Sequence, residues 1–320
     1  MKRLLFWLAT VFFAGSTLAQ QDYPSRPVRL VIPWPPGQAT DLVGRVIGQK
    51  LTELYNYQVV ADNRPGAGGQ IGTDIVAKAA PDGYTILAAS SGPVTVAPLL
   101  QKTPYDSERD LAPVAIGGFA AYVLVAAPSF PAKDIKEFIA MAKSNPGKYN
   151  YASSGTGAAA HLAVEYFNSV AGIKGTHVPY KGSIPALTDV ISGQVTYMTE
   201  TVSAVMPFVR SGKLKAYGIS TLKQSPQAPG IPTYAAAADM PGFEFAAWIG
   251  VMVSAGTPKR LVDKLTAAVD KVLQAQDARD RLASVGLDVN YHRAEEMGAY
   301  LKKQSAQVAD IIKRANIKIE

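Results

Sequence analysis

The chain has 320 residues, with 32 Lys and Arg against 25 Asp and Glu, a formal charge of +7 and no cysteine. That length suits two domains, each large enough for its own core, and the missing cysteine excludes disulfides and thiolate metal sites. Charges alternate in sign, as in Lys133-Asp134-Ile135-Lys136-Glu137, with no basic tract of the kind that binds nucleic acid.

Met1-Lys2-Arg3 is basic, residues 4–15 are almost wholly apolar, and Thr17 and Ala19 are small residues at the −3 and −1 positions. This predicts a secretory signal peptide over residues 1–19, cut after Ala19. The apolar run is shorter than the ~20 residues that span a bilayer, and lipid attachment through a cysteine is impossible. Cleavage removes Lys2 and Arg3 and no acid, so +7 becomes +5. An exported, unanchored chain fits the Gram-negative periplasm, and a modest positive charge helps gather anions.

The mature chain opens with an apolar, β-branched strand, Val28-Arg29-Leu30-Val31-Ile32. It runs into Pro33-Trp34-Pro35-Pro36-Gly37-Gln38-Ala39-Thr40-Asp41 and then into helical spacing at Leu42, Val43, Val46, Ile47, Leu51 and Leu54. Prolines forbid regular pairing, Gly37 permits a positive φ, and Thr40 or Asp41 is placed to cap the helix. Free N–H groups of a first helical turn beyond a strand end suit a carboxylate or phosphate. An ordinary βα loop is the plain alternative. A strand at 57–60, a helix at 70–80 and a strand at 84–89 ending in Ser90-Ser91-Gly92 continue the alternation. That order implies a parallel sheet with right-handed crossovers, where ligands sit beyond the carboxyl ends of strands. Residues 33–41 and 90–92 lie at that edge.

Residues 112–127 form a long apolar stretch suited to crossing between domains. A second α/β unit follows: helix 135–144, strand 149–152, Ser153-Ser154-Gly155-Thr156-Gly157, helix 158–171, strand 176–180, helix 183–192, strand 194–199, helix 204–210 and strand 214–220. Residues 243–253 suit a return crossing. Thr257-Pro258 opens a helix as N-cap and N1, and a last helix covers 294–314. The expected fold is α/β and two-lobed, with a mostly parallel sheet flanked by helices in each lobe. Lobe 1 takes residues 20–121 and 244–320, lobe 2 takes 122–243, and two crossings make a hinge over a ligand cleft.

In the second unit, Ser153, Ser154, Gly155, Thr156 and Gly157 bring hydroxyls and flexible amides to a helix start, a nest for an anion or a capped turn. Ser90 and Ser91 offer hydroxyls from the first lobe or belong to a plain loop. Tyr180 and Lys181 end a strand facing the cleft, where Lys181 balances ligand charge or is solvated. His161 follows the glycine-rich loop by one turn, as ligand contact or structural donor. Glu200 contacts a ligand ammonium or hydroxyl, or braces nearby loops. Scattered His161, His177 and His292 give no metal spacing. Gly-x-Ser-x-Gly and the P-loop are absent, and Gly66-Ala67-Gly68-Gly69 has Ile71 where a dinucleotide loop needs glycine.

Six motifs then occur in order. They are residues 23–33, Pro36-Gly37-x-x-x-Asp41, Asp62-Asn63-Arg64-Pro65-Gly66-Ala67-Gly68-Gly69, Ala79-Ala80-Pro81-Asp82-Gly83-Tyr84-Thr85, Ser154-Gly155-Thr156-Gly157 with His161-Leu162, and Val178-Pro179-Tyr180-Lys181-Gly182. Together they resemble the receptors of tripartite tricarboxylate transporters, the Bug or TctC family, over nearly the whole mature chain. The resemblance implies a two-lobed type II-like periplasmic binding protein that holds a carboxylate with the loop after the first strand, partly through ordered waters. It implies contacts from Gly37, Gln38, Ala39, Thr40 and Asp41 in one lobe, and from the serine-glycine loop in the other. Two positions depart from the family: Gln38 replaces a usual glycine, and Glu200 a common aspartate. The expected ligand is an aliphatic or aromatic mono- or dicarboxylate, acidic amino acids included. The expected partners are membrane permease subunits, and the receptor is expected to act as a monomer without metal or cofactor. An exported hydrolase-like cleft enzyme using Ser90, Ser154 or His161, or a sensor for a signalling partner, are the alternatives.

Overall fold

β-branched residues concentrate in the first strand, Val28–Ile32, and the later strands are more mixed. The computed structural model describes residues 23–317, so the leader expected at 1–19 lies outside the described residues. In chain order the strands are β1 (Val28–Ile32), β2 (Val59–Asn63), β3 (Thr85–Ser90), β4 (Leu111–Ala126), β5 (Asn150–Ser153), β6 (Thr176–Pro179), β7 (Tyr197–Thr201), β8 (Lys215–Ile219), β9 (Ala246–Ser254), β10 (Leu287–Asp288) and β11 (His292–Arg293). β1 lies parallel between β2 and β3, with Leu30 opposite Ala61 and Ile86. β5 likewise lies parallel between β6 and β7, with Tyr151 opposite His177 and Tyr197. Parallel neighbours need crossovers, supplied by helices Ala39–Tyr55, Gln70–Ala77, Ala159–Ala171 and Ser183–Ser192. Leu30, Ile32, Ile47, Leu51 and Ile86 are fully buried, each stabilising by about 1.5–3 kcal/mol. The first sheet and its helix are therefore rigid behind the loop that joins them.

The two parallel sets are joined by antiparallel strands. β9 pairs with β3 on one side and β4 on the other. β4 is 16 residues long: its part from Leu111 to Ala121 pairs with β9, and Tyr122 to Ala126 pairs with β7 and β8. Its register slips beside Gly118, where a Cβ would stand 2.3 Å from the Asp288 carbonyl oxygen, so only glycine lets β10 approach. Where β4 changes partners, Ser220 ties the two connecting segments together. Its hydroxyl accepts from Tyr122 N (2.9 Å) and donates to the Phe245 carbonyl (2.5 Å). Its own backbone bonds both residues as well.

Several boundaries differ from the sequence expectation. The helix Ala39–Tyr55 has Gln38 as N-cap, and neither Thr40 nor Asp41 caps it; Asp41 reaches back to Gly37 N instead. The helix expected to open at Thr257-Pro258 is Lys259–Gln274, with Pro258 as N-cap. Short helices Gly92–Val96, Ala97–Leu100, Ser107–Asp110 and Tyr234–Ala237, the helix Gln276–Ser284, and the two-residue strands β10 and β11 carry too little periodicity to be read from the chain.

Candidate functional site

Beyond β1 the chain turns through a loop fixed by one carboxylate. Asp41 is buried, and its Oδ2 accepts from Gly37 N (2.9 Å) while Oδ1 accepts from Arg45 Nε (2.9 Å) and Asn63 Nδ2 (2.8 Å). Asn63 Nδ2 also donates to the Trp34 carbonyl (2.9 Å) and Asn63 Oδ1 accepts from Arg45 Nη2 (2.8 Å), closing a ring behind the loop. Gly37, at φ 87°, makes the turn that lets its N–H face Asp41. Trp34 Nε1 donates to Ser90 Oγ (3.0 Å), tying the loop to the end of β3. Ser91 follows, fully buried, and its hydroxyl has no hydrogen-bond partner.

The opposite wall starts at the end of β5. Ser153 Oγ lies 2.6 Å from His177 Nε2 and accepts from Gly155 N (3.3 Å). The His177 ring is stacked between Tyr151 and His161, 5.1 and 4.1 Å from their centroids. Burial pushes His161 down to about 3, helped by repulsion from His177, and burial alone takes His177 to about 4. Both are neutral, so His161 Nδ1 is free to accept from Gly157 N at 3.4 Å. At the next helix start, Ser183 Oγ donates to Glu200 Oε2 (2.6 Å), and Thr201 N donates to Glu200 Oε1 (2.7 Å). Burial raises the Glu200 pKa, with Ser183, Thr201 and Ser154 pulling it back.

The walls meet closely. A Cβ on Gly68 would stand 2.6 Å from the Thr156 carbonyl oxygen, and one on Gly182 would stand 2.7 Å from Pro35 Cγ. Between them lies an inner cavity of about 40 Å³ lined by Trp34, Gln38, Ala39, Thr40, Ser90, Ser91, Gly92, Tyr122, Ser154, Ala159, Ala160, Ser183, Glu200, Thr201, Ala247 and Ile249. Its lining holds six hydroxyl-bearing Ser and Thr side chains and no lysine or arginine. An outer cavity of about 410 Å³ shares Trp34 and Ser154 and adds residues 66–70, Gln101, Lys102, Gly155, Thr156, Tyr180, Lys181 and Gly182. Neutral donors packed around a small space hold a carboxylate by hydrogen bonds rather than by ion pairing.

Of the residues singled out in the sequence, Gln38, Ala39, Thr40, Ser90, Ser91, Ser154 and Glu200 share the inner cavity. Gly155, Thr156, Tyr180 and Lys181 line the outer one. Gly37, Asp41, Ser153, Gly157 and His161 line neither and hold the loops in place through the bonds above. The Tyr180 hydroxyl donates to Asp189 Oδ2 (2.5 Å). Trp34, Gly92, Tyr122, Ala159, Ala160, Ser183, Thr201, Ala247 and Ile249 complete the inner lining without having been singled out. Ser183 was within reach, since it opens a helix after β6 as Ser153 to Gly157 do after β5. Ala247 and Ile249 come from antiparallel β9, whose sequence carries no such signal.

The model of the tripartite tricarboxylate transporter family receptor, TctC, matches residues 43–317. A UPF0065 protein in the tcbD-tcbE intergenic region of Pseudomonas sp. strain P51 is 37% identical over 313 residues, covering 97% of this chain and 93% of that protein. Protein BugT of Bordetella pertussis is 33% identical over 326 residues, covering 100% and 99%. Among solved structures, Rpa4515 of R. palustris with adipate superimposes at a TM-score of 0.88 with 31% identity, covering 93% of this chain and 99% of that one. The periplasmic binding protein BugD gives 0.86 with 34% identity, covering 93% and 100%. MatC of Rhodopseudomonas palustris with bound malate gives 0.84 with 33% identity, covering 91% and 100%.

Proposed function

The chain belongs to the tripartite tricarboxylate transporter receptor family, and we propose that it takes up a small organic carboxylate in the cleft between its lobes and delivers it to the permease subunits of such a transporter. It does so in the periplasm, as a monomer, after removal of residues 1–19. No helix among the described residues is long and apolar enough to cross a membrane. Lobe 1, residues 20–121 and 244–320, and lobe 2, residues 122–243, close on the ligand about the β4 and 243–246 crossings. The ligand is an aliphatic or aromatic mono- or dicarboxylate, an acidic amino acid being within that class. Adipate bound to Rpa4515 and malate bound to MatC support the dicarboxylates first.

One observation carries this proposal. The Ser91 hydroxyl is fully buried and unpaired in a cavity walled by hydroxyls, a cost of about 1–3 kcal/mol that an acceptor removes. A carboxylate head in the inner cavity takes donors from Ser91, Ser90 and Thr40, and its remainder meets Gly155, Thr156, Tyr180 and Lys181. Thermal unfolding across a carboxylate panel containing adipate and malate tests it. Saturable stabilisation of about 2.7 kcal/mol at 100 times Kd is expected, retained in EDTA and with the compound recovered unchanged. No shift with any member, or consumption of the compound that shifts, refutes it.

A further inference from the structure

Gln38 occupies a helix N-cap position and does not cap. Its backbone is extended (φ −78°, ψ 159°) and no side-chain cap bond forms, although this position ordinarily favours short oxygen-bearing side chains that do. The amide reaches across the cleft instead, and Nε2 donates to Ser183 Oγ at 2.5 Å. Ser183 passes its one proton on to Glu200 Oε2 at 2.6 Å. A hydroxyl that has given away its proton meets Gln38 only as an acceptor, so the amide must present its NH₂. Thr201 N holds the other Glu200 oxygen, which fixes the end of the chain. Gln38, Ser183 and Glu200 are 6%, 1% and 4% exposed, and all three line the inner cavity.

There is no slack beside this bridge. Gly182 sits at φ 118°, and a Cβ there would be 2.7 Å from Pro35 Cγ and 3.4 Å from Gln38 Nε2. We infer that Gln38 is the specificity-determining residue of the cleft: it bolts the ligand loop to Ser183 and Glu200, and its bulk limits the inner cavity to an unbranched carboxylate head. The inner cavity, about 40 Å³, is about a tenth the size of the outer one, about 410 Å³, so it takes the small polar head of a ligand and leaves the rest outside. The rest of the ligand must then pass Trp34 and Ser154, which line both cavities, into the outer cavity of about 410 Å³. Lys102 and Lys181 stand there from opposite walls, so a second anionic end is favoured. This rests on the carboxylate-receptor proposal above.

Bulk and bond are separable at this position. Gln38→Gly removes both and is tolerated at an N-cap with extended backbone, whereas Gln38→Leu keeps most of the volume and removes the donor. The probes are succinate and adipate, each beside its counterpart bearing two methyls on both carbons next to the carboxylates, measured by calorimetry. The wild-type chain should favour each unbranched acid by about 100-fold, the scale of a strained, overpacked site. Gln38→Gly should cut that preference by about 10-fold or more, and Gln38→Leu should keep it while weakening every ligand by about 3- to 10-fold. Ser183→Ala should behave as Gln38→Leu does. An unchanged preference in Gln38→Gly, or a preference lost equally in Gln38→Leu, overturns the inference alone. Wild-type protein that binds none of the four acids but is stabilised by another carboxylate also overturns the inference alone, and one that no carboxylate stabilises overturns the proposal beneath it as well.

Discussion

Both walls of the cleft use one device, a strand running through a glycine-bearing loop into a helix, yet their polar side chains do opposite work. In the first wall the bracing lies behind the loop, in the ring of Asp41, Arg45 and Asn63. Its cavity-facing Ser91 is left with no partner. In the second wall the hydroxyls themselves brace: Ser153 bonds His177, and Ser183 bonds Glu200. Under the proposal above, Ser91 is free to meet a ligand because its loop is stabilised by other means. On that reading the first wall recognises and the second shapes.

That contrast breaks most readily where the walls touch. Gly68, at φ 63°, would place a Cβ 2.6 Å from the Thr156 carbonyl oxygen. Gly68→Ala adds overpacking of about 1–3 kcal/mol where the walls meet, beside left-handed backbone strain that is the same in either state. If closure of one wall on the other is needed for binding, affinity should fall by about 5- to 150-fold. Calorimetry with small-angle scattering checks this: the bound radius of gyration should stay at the open value. Wild-type affinity would mean that the walls work without meeting.

Ser91→Ala tests the recognising wall. Loss of a donor to a charged group costs about 1.5–3 kcal/mol, so affinity for a carboxylate should fall by about 10- to 100-fold. Stability without ligand should rise slightly, because a buried unpaired hydroxyl disappears. Reduced stability with unchanged affinity would make Ser91 a brace like Ser153 and dissolve the contrast.

Acid tests the shaping wall. His161 and His177 titrate near 6.5 in an unfolded chain, but burial holds them at about 3 and about 4 in the fold. Between those values the unfolded state binds more protons. Their contribution is therefore complete above about pH 6.5 and is lost as pH falls toward 4 and then 3, by up to about 1.4 kcal/mol per pH unit for each histidine. Half-buried His177 should deliver less than that. Denaturant midpoints at pH 7 and pH 5 should differ in this direction, and His161→Gln should flatten the slope. A slope unaffected by His161→Gln would remove the histidines from the bracing of this wall.

How far the chain could be read follows the same divide. β1 and the helix after it were legible because Val28 to Ile32 are β-branched and Leu42 to Leu54 keep helical spacing. The punctuation of Pro33 to Gly37 marked the first loop. Asp41 reads as a helix cap or a ligand contact and His161 as a ligand contact or a structural donor, and their bonds run to Gly37, Arg45 and Asn63 and to Gly157. Residue type at a loop announces polar work without saying for whom. Ser183 was within reach as a helix start after β6, but its pairing with Gln38, 145 residues away, is encoded by no local pattern. Ile249 reaches the cavity from a strand whose neighbours are set by sheet order alone.

The smallest expected effect falls on Thr156, the residue whose sequence context argued most for a direct role. It lies between two glycines ahead of a helix, where a hydroxyl is placed either to meet a carboxylate or to cap. The helix Ala159–Ala171 has Ala158 as its N-cap and no side-chain cap bond, so capping is not the work of Thr156. Its side chain lines the outer cavity rather than the inner one, while its backbone carbonyl is what crowds Gly68. Thr156→Val keeps that backbone and the shape of the side chain. Affinity for a short dicarboxylate should change by less than about 3-fold, and unliganded stability by no more than about 0.5 kcal/mol. A loss of about 10-fold or more, with stability intact, would give the second wall a recognising donor of its own.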